Sequence, residues 1–183
     1  MTETKKIYEE IEILPEVNAK LEKGLITMSG PKGEAKKDFH NPLIQIELKE
    51  NKLILTSKRF TKREKKLLGT FRAHIKNLMK GALEGHTYKL KICSSHFPMN
   101  VALNNGELIV KNFFGGKHPR KLKIKTGAEV KVAGSDITIY SCSKETAGQV
   151  AADIESLTRI TNKDRRIFQD GIYIIEKDGK KIR

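Results

Sequence analysis

The chain has no tryptophan and only two cysteines, Cys93 and Cys142, in 183 residues. Neither cysteine lies in a CxxC pattern, so we expect both to be small buried residues in a reducing cytosol. The five histidines lack the spacing of metal ligands. Phosphate-binding Walker and GxGxxG motifs are also missing, as are Ser/His/Asp and paired-carboxylate groupings. The sequence therefore predicts no enzyme, no cofactor, no metal and no small-molecule substrate.

Long apolar runs are missing too. No run approaches the ~20 apolar residues that a membrane span needs. Residues 1–13 contain neither the apolar segment nor the cleavage site of a signal peptide. We therefore expect a soluble, cytoplasmic protein with no membrane partner.

Positive charge is what the chain has in excess. It carries 36 Lys and Arg against 22 Asp and Glu, a formal charge of +14 at pH 7. Divided after Gly81, each half has 18 basic and 11 acidic residues, so each carries +7 (18 − 11). This excess predicts affinity for a polyanion such as nucleic acid. Residues 1–22 differ, with six Glu against three Lys, and we expect this acidic N-terminal arm not to contact RNA.

One phrase occurs twice. The segment from Gly69 to Leu78 returns from Gly148 to Leu157, 79 residues later (148 − 69), with Gly, Ala, Ile and Leu at the same places. A period this long exceeds a solenoid repeat and indicates two tandem copies of a small domain. Since a glycine inside a helix costs ~1 kcal/mol relative to alanine, its presence in both copies predicts that each helix backbone comes close to its sheet there.

Strand and helix patterns recur in the same order in both halves. Alternation predicts hairpins over 43–55 and 130–140, after strands at 25–28 and 108–110 that lead into glycine loops. Helices are predicted from near Thr61 to about Met79 and from just after Ser143. The predicted fold class is α+β, with two tandem duplicated domains, 1–82 and 83–183, each a small antiparallel sheet packed against one helix. Residues 162–175 have no counterpart in the first copy and are predicted to be an appended loop and short strand.

The segment 111–125 holds six Lys or Arg, one His and no acidic residue. Cations and side-chain-free glycines suit contact with a phosphate backbone, because such a loop approaches closely and presents N–H groups. Strand alternation puts three lysines, at 121, 123 and 125, on one face. A solvated edge strand protected by lysine explains that alternation as well, but the neighbouring residues favour RNA contact. The candidate RNA-binding residues here are Lys111, Gly115, Gly116, Lys117, His118, Arg120, Lys121 and Lys123.

A second basic cluster, Lys163, Arg165 and Arg166, precedes two aromatic residues, Phe168 and Tyr173. We expect the cluster to contact RNA and the two rings to be part of the core. A third cluster, within 58–66, opposes the dipole of the first helix. It is equally consistent with RNA contact and with a solvated face.

The segment Gly30–Gly33 formally matches the GxxG loop of KH domains. Strand-like segments flank it here, whereas helices flank the KH loop. Pro at its second position and Gly at its fourth favour a type I turn instead.

Three segments resemble the large ribosomal subunit protein six family, in its archaeal and eukaryotic branch. They are Gly30-Pro-Lys-Gly33, Val110-Lys-Asn-Phe113, and the tail from Arg159 to Lys177. The tail is the most specific, because it contains Arg-x-Phe-x-Asp-Gly-Ile-Tyr, while Ser156 departs from the Gln expected there. The resemblance covers essentially the whole chain, including the duplication.

This resemblance implies two similar α+β domains and a structural role in the large ribosomal subunit. It further implies contact with large-subunit rRNA, mainly through the C-terminal domain, near the base of the factor-recruiting stalk. Partners would be that rRNA and neighbouring ribosomal proteins, in cytoplasmic ribosomes. The alternative is a basic RNA-binding module, or a binder of polyanions or membrane surfaces, that acts outside the ribosome.

Overall fold

The computed structural model describes residues 7–57, 59, 61–164 and 166–182. The chain divides into two compact units, Met1–Gly85 and His86–Arg183. Each unit contains antiparallel sheets and one long helix. The chain is therefore an α+β protein with two tandem copies of one arrangement, while the domain limits 1–82 and 83–183 remain a proposal.

Unit one comprises two three-stranded sheets and a helix that lies against both. Its elements are β1 (Ile7–Glu12), β2 (Asn18–Glu22), β3 (Leu25–Gly30), β4 (Gly33–Asp38), β5 (Ile44–Lys49), β6 (Lys52–Ser57) and α1 (Lys62–Leu83). The strand orders are β1-β6-β5 and β2-β3-β4. Inward side chains of β3 and β6, such as Ile26, Leu53 and Leu55, are fully buried with Leu68 and Ile75 of the helix.

Unit two has the same plan with additions. Its elements are β7 (His86–Cys93), β8 (Asn100–Asn104), β9 (Glu107–Lys111), a 3₁₀ turn (Phe113–Gly115), β10 (Arg120–Lys123), β11 (Glu129–Ala133), β12 (Asp136–Ser141), α2 (Lys144–Leu157), β13 (Gly171–Lys177) and β14 (Lys180–Lys181). The strand orders are β10-β9-β8 and β11-β12-β7-β13-β14. Its core joins strands of both sheets to α2 through residues such as Leu90, Leu108, Ile139 and Ile154.

Both predicted hairpins are confirmed. Strands β5 and β6 pair up to Lys49 and Lys52 across a two-residue loop, and β11 and β12 pair up to Ala133 and Asp136 in the same way. The first loop residue has positive φ in each case, 46° at Glu50 and 59° at Gly134. Positive φ is typical of the turns that match strand twist.

The described part of residues 1–22 belongs to the sheets of unit one and is not a separate arm, while the expectation that it does not contact RNA stays a prediction. Residues 7–12 form β1, which pairs along its length with β6, and residues 18–22 form β2. Ile11 is buried at 4% exposure. The acidic residues made the strand hard to predict from the sequence, because charged side chains are tolerated on the solvated face of an edge strand.

The appended short strand is also corrected. Strand β13 is seven residues long and pairs with β7 in the interior of the five-stranded sheet. Ile172 of this strand is fully buried in the core of unit two. The segment lacks a counterpart in unit one, as expected, but it is an integral part of its sheet.

The helices begin where predicted. Helix α1 starts at Lys62 after Thr61, and Ser143 caps α2 by accepting a hydrogen bond from the Thr146 N–H at 3.3 Å. Helix α1 continues to Leu83, four residues past the predicted end, because Gly81 and Ala82 are buried. The apolar side chains of α1 face inward: Leu68, Ile75, Leu78 and Met79 are buried, and Leu67 and Phe71 are half-buried.

The prediction of close helix–sheet approach at the repeated glycines is wrong for unit one. Gly69 is exposed, and a Cβ added there meets no atom within 4 Å. At Gly148 an added Cβ would lie 3.4 Å from Oη of Tyr88 on β7. A close contact between sheet and helix in unit one lies instead at Gly30, where an added Cβ would lie only 2.6 Å from the carbonyl oxygen of Ala82.

The segment Gly30–Gly33 forms the two-residue turn between β3 and β4. The Lys32 N–H donates to the Ala82 carbonyl at 3.1 Å, which ties this turn to the end of α1. Flanking strands rule out the KH reading. Among the described residues, Cys93 and Cys142 form no disulfide, and both are half-buried rather than fully buried.

Candidate nucleic-acid interface

A tight turn shapes the basic loop after β9. Asn112 and Phe114 both adopt left-handed conformations, with φ of 60° and 52°, and Gly115 follows with φ of 69°. The Asn112 side-chain amide donates to the Pro98 carbonyl at 3.0 Å, which holds the loop against residues 94–99. Left-handed backbone in non-glycine residues is uncommon and marks a loop whose shape the surroundings enforce.

The two loop glycines use their N–H groups within this turn. The Gly115 N–H donates to the Asn112 carbonyl at 3.4 Å, and the Gly116 N–H to the Phe113 carbonyl at 3.0 Å. The expectation that these N–H groups face a phosphate is therefore wrong. Both glycines, Lys117 and His118 are nevertheless exposed, so the loop still offers cationic side chains and close approach.

Strand β10 presents lysines on one face, as the alternation predicts. Lys121 and Lys123 are exposed, whereas Leu122 and Ile124 are half-buried and pack on the core of unit two. The strand lies at the edge of the sheet β10-β9-β8, so the alternative interpretation of a lysine-protected edge also fits the geometry. Lys125 pairs with Asp153 of α2, at 3.2 Å between Nζ and Oδ2.

Arg120 contacts other residues of unit two, which its place in the basic segment did not indicate. Its guanidinium carbon lies 4.2 Å from the centroid of the Phe113 ring. Its Nη1 donates to the Leu157 carbonyl at 2.6 Å, at the last residue of α2. A cation at a helix C-terminus bonds unsatisfied carbonyls and stabilises the dipole. Arg120 thus stabilises α2, and less of its charge is available to RNA than we predicted.

An aromatic cluster joins the two predicted basic clusters. The Phe168 ring lies 5.1 Å from the His96 ring and 5.9 Å from the Phe114 ring, between centroids. The Lys163 ammonium lies above both phenyl rings, 4.5 Å from that of Phe168 and 5.2 Å from that of Phe114. Such cation–π contacts hold a lysine in place without neutralising it.

The prediction that Phe168 and Tyr173 are core residues is wrong. Both are half-buried, and neither belongs to the buried core of unit two. Phe168 belongs to the loop cluster described above. On β13, Ile172 faces the core, and Tyr173 therefore points to the opposite side of the strand.

Asp170 holds loop 94–99 in place through hydrogen bonds. Its side chain is 1% exposed and accepts hydrogen bonds from the Ser95 N–H, the Ser95 hydroxyl at 2.8 Å and the His96 N–H at 3.2 Å. Its Oδ2 lies 3.0 Å from Nδ1 of His96. Burial raises the pKa of this carboxyl, but the hydrogen bonds from Ser95 and His96 outweigh burial and hold the pKa below its usual value. The charged carboxylate therefore clamps loop 94–99 to the start of β13.

Of the predicted RNA-binding residues, the structure brings the loop 111–118 and Lys163 together through Phe114 and Phe168. Arg166 is 91% exposed, and among the described residues its ion-pair partner is Asp164, at 3.3 Å in the same loop. Arg165 lies outside the described residues. Lys111, Lys121 and Lys123 are exposed, on β9 and β10.

The sequence interpretation missed loop 94–99, which supplies His96 and the 46%-exposed Phe97. A Cβ added to Gly115 would lie 3.6 Å from the Phe97 ring, so this ring lies directly beside the basic loop. Nothing in the spacing links His96 to Asp170, 74 residues later. The one available signal was an aromatic and a histidine together in a segment without helix or strand pattern.

The third basic cluster lies at the N-terminus of α1 in unit one. Arg59, Lys62, Arg63, Lys65 and Lys66 are exposed, and Lys58 lies outside the described residues. Glu64 in the first turn is buried and offsets part of the unfavourable charge at this helix end. A solvated face and an RNA contact therefore both remain consistent with these residues.

Across the described ranges, no helix is both long and apolar enough to cross a bilayer. Within the same ranges, no group of three or more His, Cys, Asp or Glu side chains is placed to hold a metal ion.

The matches to known proteins agree with the duplication of the chain. The family model described as Ribosomal protein L6 matches this chain twice, over residues 15–85 and 97–171. The chain is 42% identical over 173 residues to large ribosomal subunit protein uL6 of Methanosarcina mazei, covering 94% of this chain and 98% of the relative. It is 40% identical to the protein of that name from Methanobrevibacter smithii, over 94% of this chain and 97% of the relative. For that of Nanoarchaeum equitans the identity is 42%, over 94% of each chain.

Proposed function

The chain belongs to the ribosomal protein L6 family, and we propose that it is a structural, non-catalytic protein of the large subunit that binds large-subunit rRNA through unit two. Its site in cytoplasmic ribosomes is near the base of the factor-recruiting stalk, with neighbouring ribosomal proteins as further partners. The observation that carries this proposal is the aromatic cluster of Phe114, Phe168 and Lys163, which gathers two separate basic segments.

Binding rests on phosphate neutralisation by side chains on a rigid frame. The exposed cations of the loop 111–118 and of β10 contact phosphates, and Lys163 and Arg166 extend the cationic surface to the loop before β13. The exposed Phe97 ring adds a surface on which an unpaired base stacks. The Asp170 hydrogen bonds and the left-handed turn at 112–115 preorganise these loops, so little ordering entropy is lost on binding.

The test replaces two exposed lysines of β10. Lys121→Glu with Lys123→Glu should weaken binding to a fragment of large-subunit rRNA by at least ~10-fold and lower the salt dependence. The matched control is Lys131→Glu with Lys177→Glu, which changes the charge equally at exposed positions on β11 and β13. Unchanged RNA affinity in a folded β10 variant would refute this contact surface.

Salt titration separates this proposal from weaker alternatives. With ~6–10 phosphate contacts, affinity for the RNA fragment should fall ~10³–10⁵-fold between 50 and 200 mM salt. Heparin and anionic vesicles serve as competitors. Equal affinity for these and for the rRNA fragment, together with absence of the chain from purified large subunits, would favour a polyanion or membrane-surface binder outside the ribosome.

A further inference from the structure

Strand β1 lies at the edge of its sheet, and among the described residues no strand pairs with its outer side. The corresponding strand of unit two, β7, has a neighbour on both sides, β12 and β13. The duplication thus provides an internal template. Unit two fills this strand position with its own β13, whereas no described strand of unit one occupies it.

The register makes the correspondence residue by residue. Ile11 of β1 pairs with Leu53, and Leu90 of β7 pairs with Ile137, and all four side chains are buried. With these pairs superposed in register, Glu10 takes the place of Lys89, and Glu12 takes the place of Lys91.

The backbone groups on the outer side of β1 belong to alternate residues. The Ile13 N–H donates to the Asn51 carbonyl at 2.8 Å, which continues the ladder toward β6. Because antiparallel hydrogen bonds alternate along a strand, the N–H and C=O groups of Tyr8, Glu10 and Glu12 point outward. The equivalent groups of β7 meet the β13 segment, as when the Asp178 N–H donates to the Thr87 carbonyl at 2.9 Å.

Charge identifies the occupant. In unit two, Lys89 on β7 pairs with Glu176 on β13, at 3.1 Å between Nζ and Oε2. Unit one has the opposite sign at this place, so a strand that pairs there needs Lys or Arg opposite Glu10. Lys52 lies 3.8 Å from Glu10 and 3.3 Å from Glu12, so that among the described residues one lysine pairs with two carboxylates.

The same charges argue against two other occupants. A second copy of β1 would place its glutamates against these glutamates, and like charges on paired strands are destabilising. RNA would bring phosphates to the same carboxylates.

We propose that the outer edge of β1 accepts an extended, Lys/Arg-rich segment of a neighbouring large-subunit protein as an additional strand. Main-chain hydrogen bonds to Tyr8, Glu10 and Glu12 supply the pairing, and the glutamates select a basic partner. The identity of the partner as a large-subunit protein rests on the proposed function.

Photocrosslinking in purified large subunits tests the partner. Tyr8, 66% exposed on β1, is replaced by p-benzoylphenylalanine, which retains an aromatic ring. Gln45 on β5 is the matched control, because Tyr8, Thr56 and Gln45 form one row across the sheet, and Gln45 lies at the opposite edge. We expect position 8, and not position 45, to crosslink to a basic protein segment. Crosslinks from position 8 only to rRNA, to a second copy or to nothing would overturn the proposal.

A chain that is missing from the subunits would contradict the proposed function instead. The second arm therefore uses the isolated full-length chain, labelled with ¹⁵N, and a synthetic peptide of alternating lysine and valine. We expect this peptide to change the chemical shifts of the amides of Tyr8, Glu10 and Glu12. A control peptide of alternating glutamate and valine should cause no such changes. Shifts elsewhere only, or equal shifts with both peptides, would overturn the edge as a basic-strand acceptor.

Two variants sharpen this arm. Glu10→Pro removes one outward N–H, a change that edge strands tolerate. It should lower the affinity for the lysine–valine peptide by at least ~10-fold. Glu10→Lys with Glu12→Lys keeps the backbone and should reverse the preference toward the glutamate–valine peptide. Lysine-peptide binding unaffected by both variants would refute the proposal.

Discussion

The two units share a plan and differ in one hairpin connection and in two strands, β13 and β14, that only unit two has. In unit one, β3 and β4 are joined by the two residues 31–32, whereas in unit two the corresponding strands β9 and β10 are joined by residues 112–119. This longer connection is the basic loop. Strand β13 and the loop before it then supply Lys163, Phe168 and Asp170. The comparison teaches that the duplicated frame is common to both units. Only unit two has the basic loop and the loop before β13, while the other candidate lysines lie on the shared strands β9 and β10.

The two helices also differ in where they contact their sheets. In unit one the tight contact between helix and sheet is at Gly30 and Ala82, near the helix C-terminus. In unit two, the contact at the repeated glycine is with Tyr88, near the helix middle. A repeated sequence phrase therefore does not guarantee a repeated contact.

The largest effect is expected from equivalent core positions of the two helices. Ile75 and Ile154 are both fully buried, so Ile75→Ala and Ile154→Ala should each lower the free energy of unfolding of their own unit by ~2–5 kcal/mol. Urea titrations followed by circular dichroism measure this loss. Because the candidate interface lies in unit two, only Ile154→Ala should also weaken binding to the rRNA fragment in mild denaturant. Equal loss of RNA affinity in both variants would break the comparison.

A smaller effect is expected at the clamp that unit two alone has. Asp170→Asn removes the charge that accepts the Ser95 and His96 hydrogen bonds, and should lower the free energy of unfolding by ~2–3 kcal/mol at pH 7. The folded-state pKa of Asp170 is lowered. Its contribution is therefore present above the unfolded-state pKa of ~3.9 and is lost as pH falls through the folded-state value.

The measurement for Asp170 is a set of urea titrations of both proteins at several pH values. The gap between wild type and variant should shrink as pH falls below about 4. A gap that widens in that range would contradict the assigned sign. RNA affinity provides a second readout, since loosened loops should bind more weakly.

The smallest effect concerns the repeated glycines. Gly69→Ala should stabilise unit one by up to ~1 kcal/mol, because alanine favours helix and an added Cβ meets no neighbour. Gly148→Ala should gain less, because its Cβ would lie 3.4 Å from the Tyr88 hydroxyl. Thermal unfolding of both variants against wild type measures the difference. A larger increase in stability for Gly148→Ala than for Gly69→Ala would show that the Tyr88 side chain moves aside without loss of stability.

Much of the candidate site was accessible from the sequence, and its assembly was not. Charge density marked Lys117, Lys121, Lys123 and Lys163 as exposed cations, and the structure leaves them exposed. Arg120 had the same local signature but stacks on Phe113 and bonds the end of α2. Composition counts charges, whereas the engagement of each charge depends on which distant groups the fold brings within reach.

The sequence by itself determined the hairpins and the starts of both helices, because these depend on local patterns. It also determined the duplication and the α+β class, because one short segment and one order of elements recur in the second half of the chain. Only the tertiary structure decided that β1 and β13 are strands of the main sheets and that Asp170 clamps His96. The reason is physical, since strand pairing and buried hydrogen bonds join residues far apart in the chain, and no local pattern records such a partner.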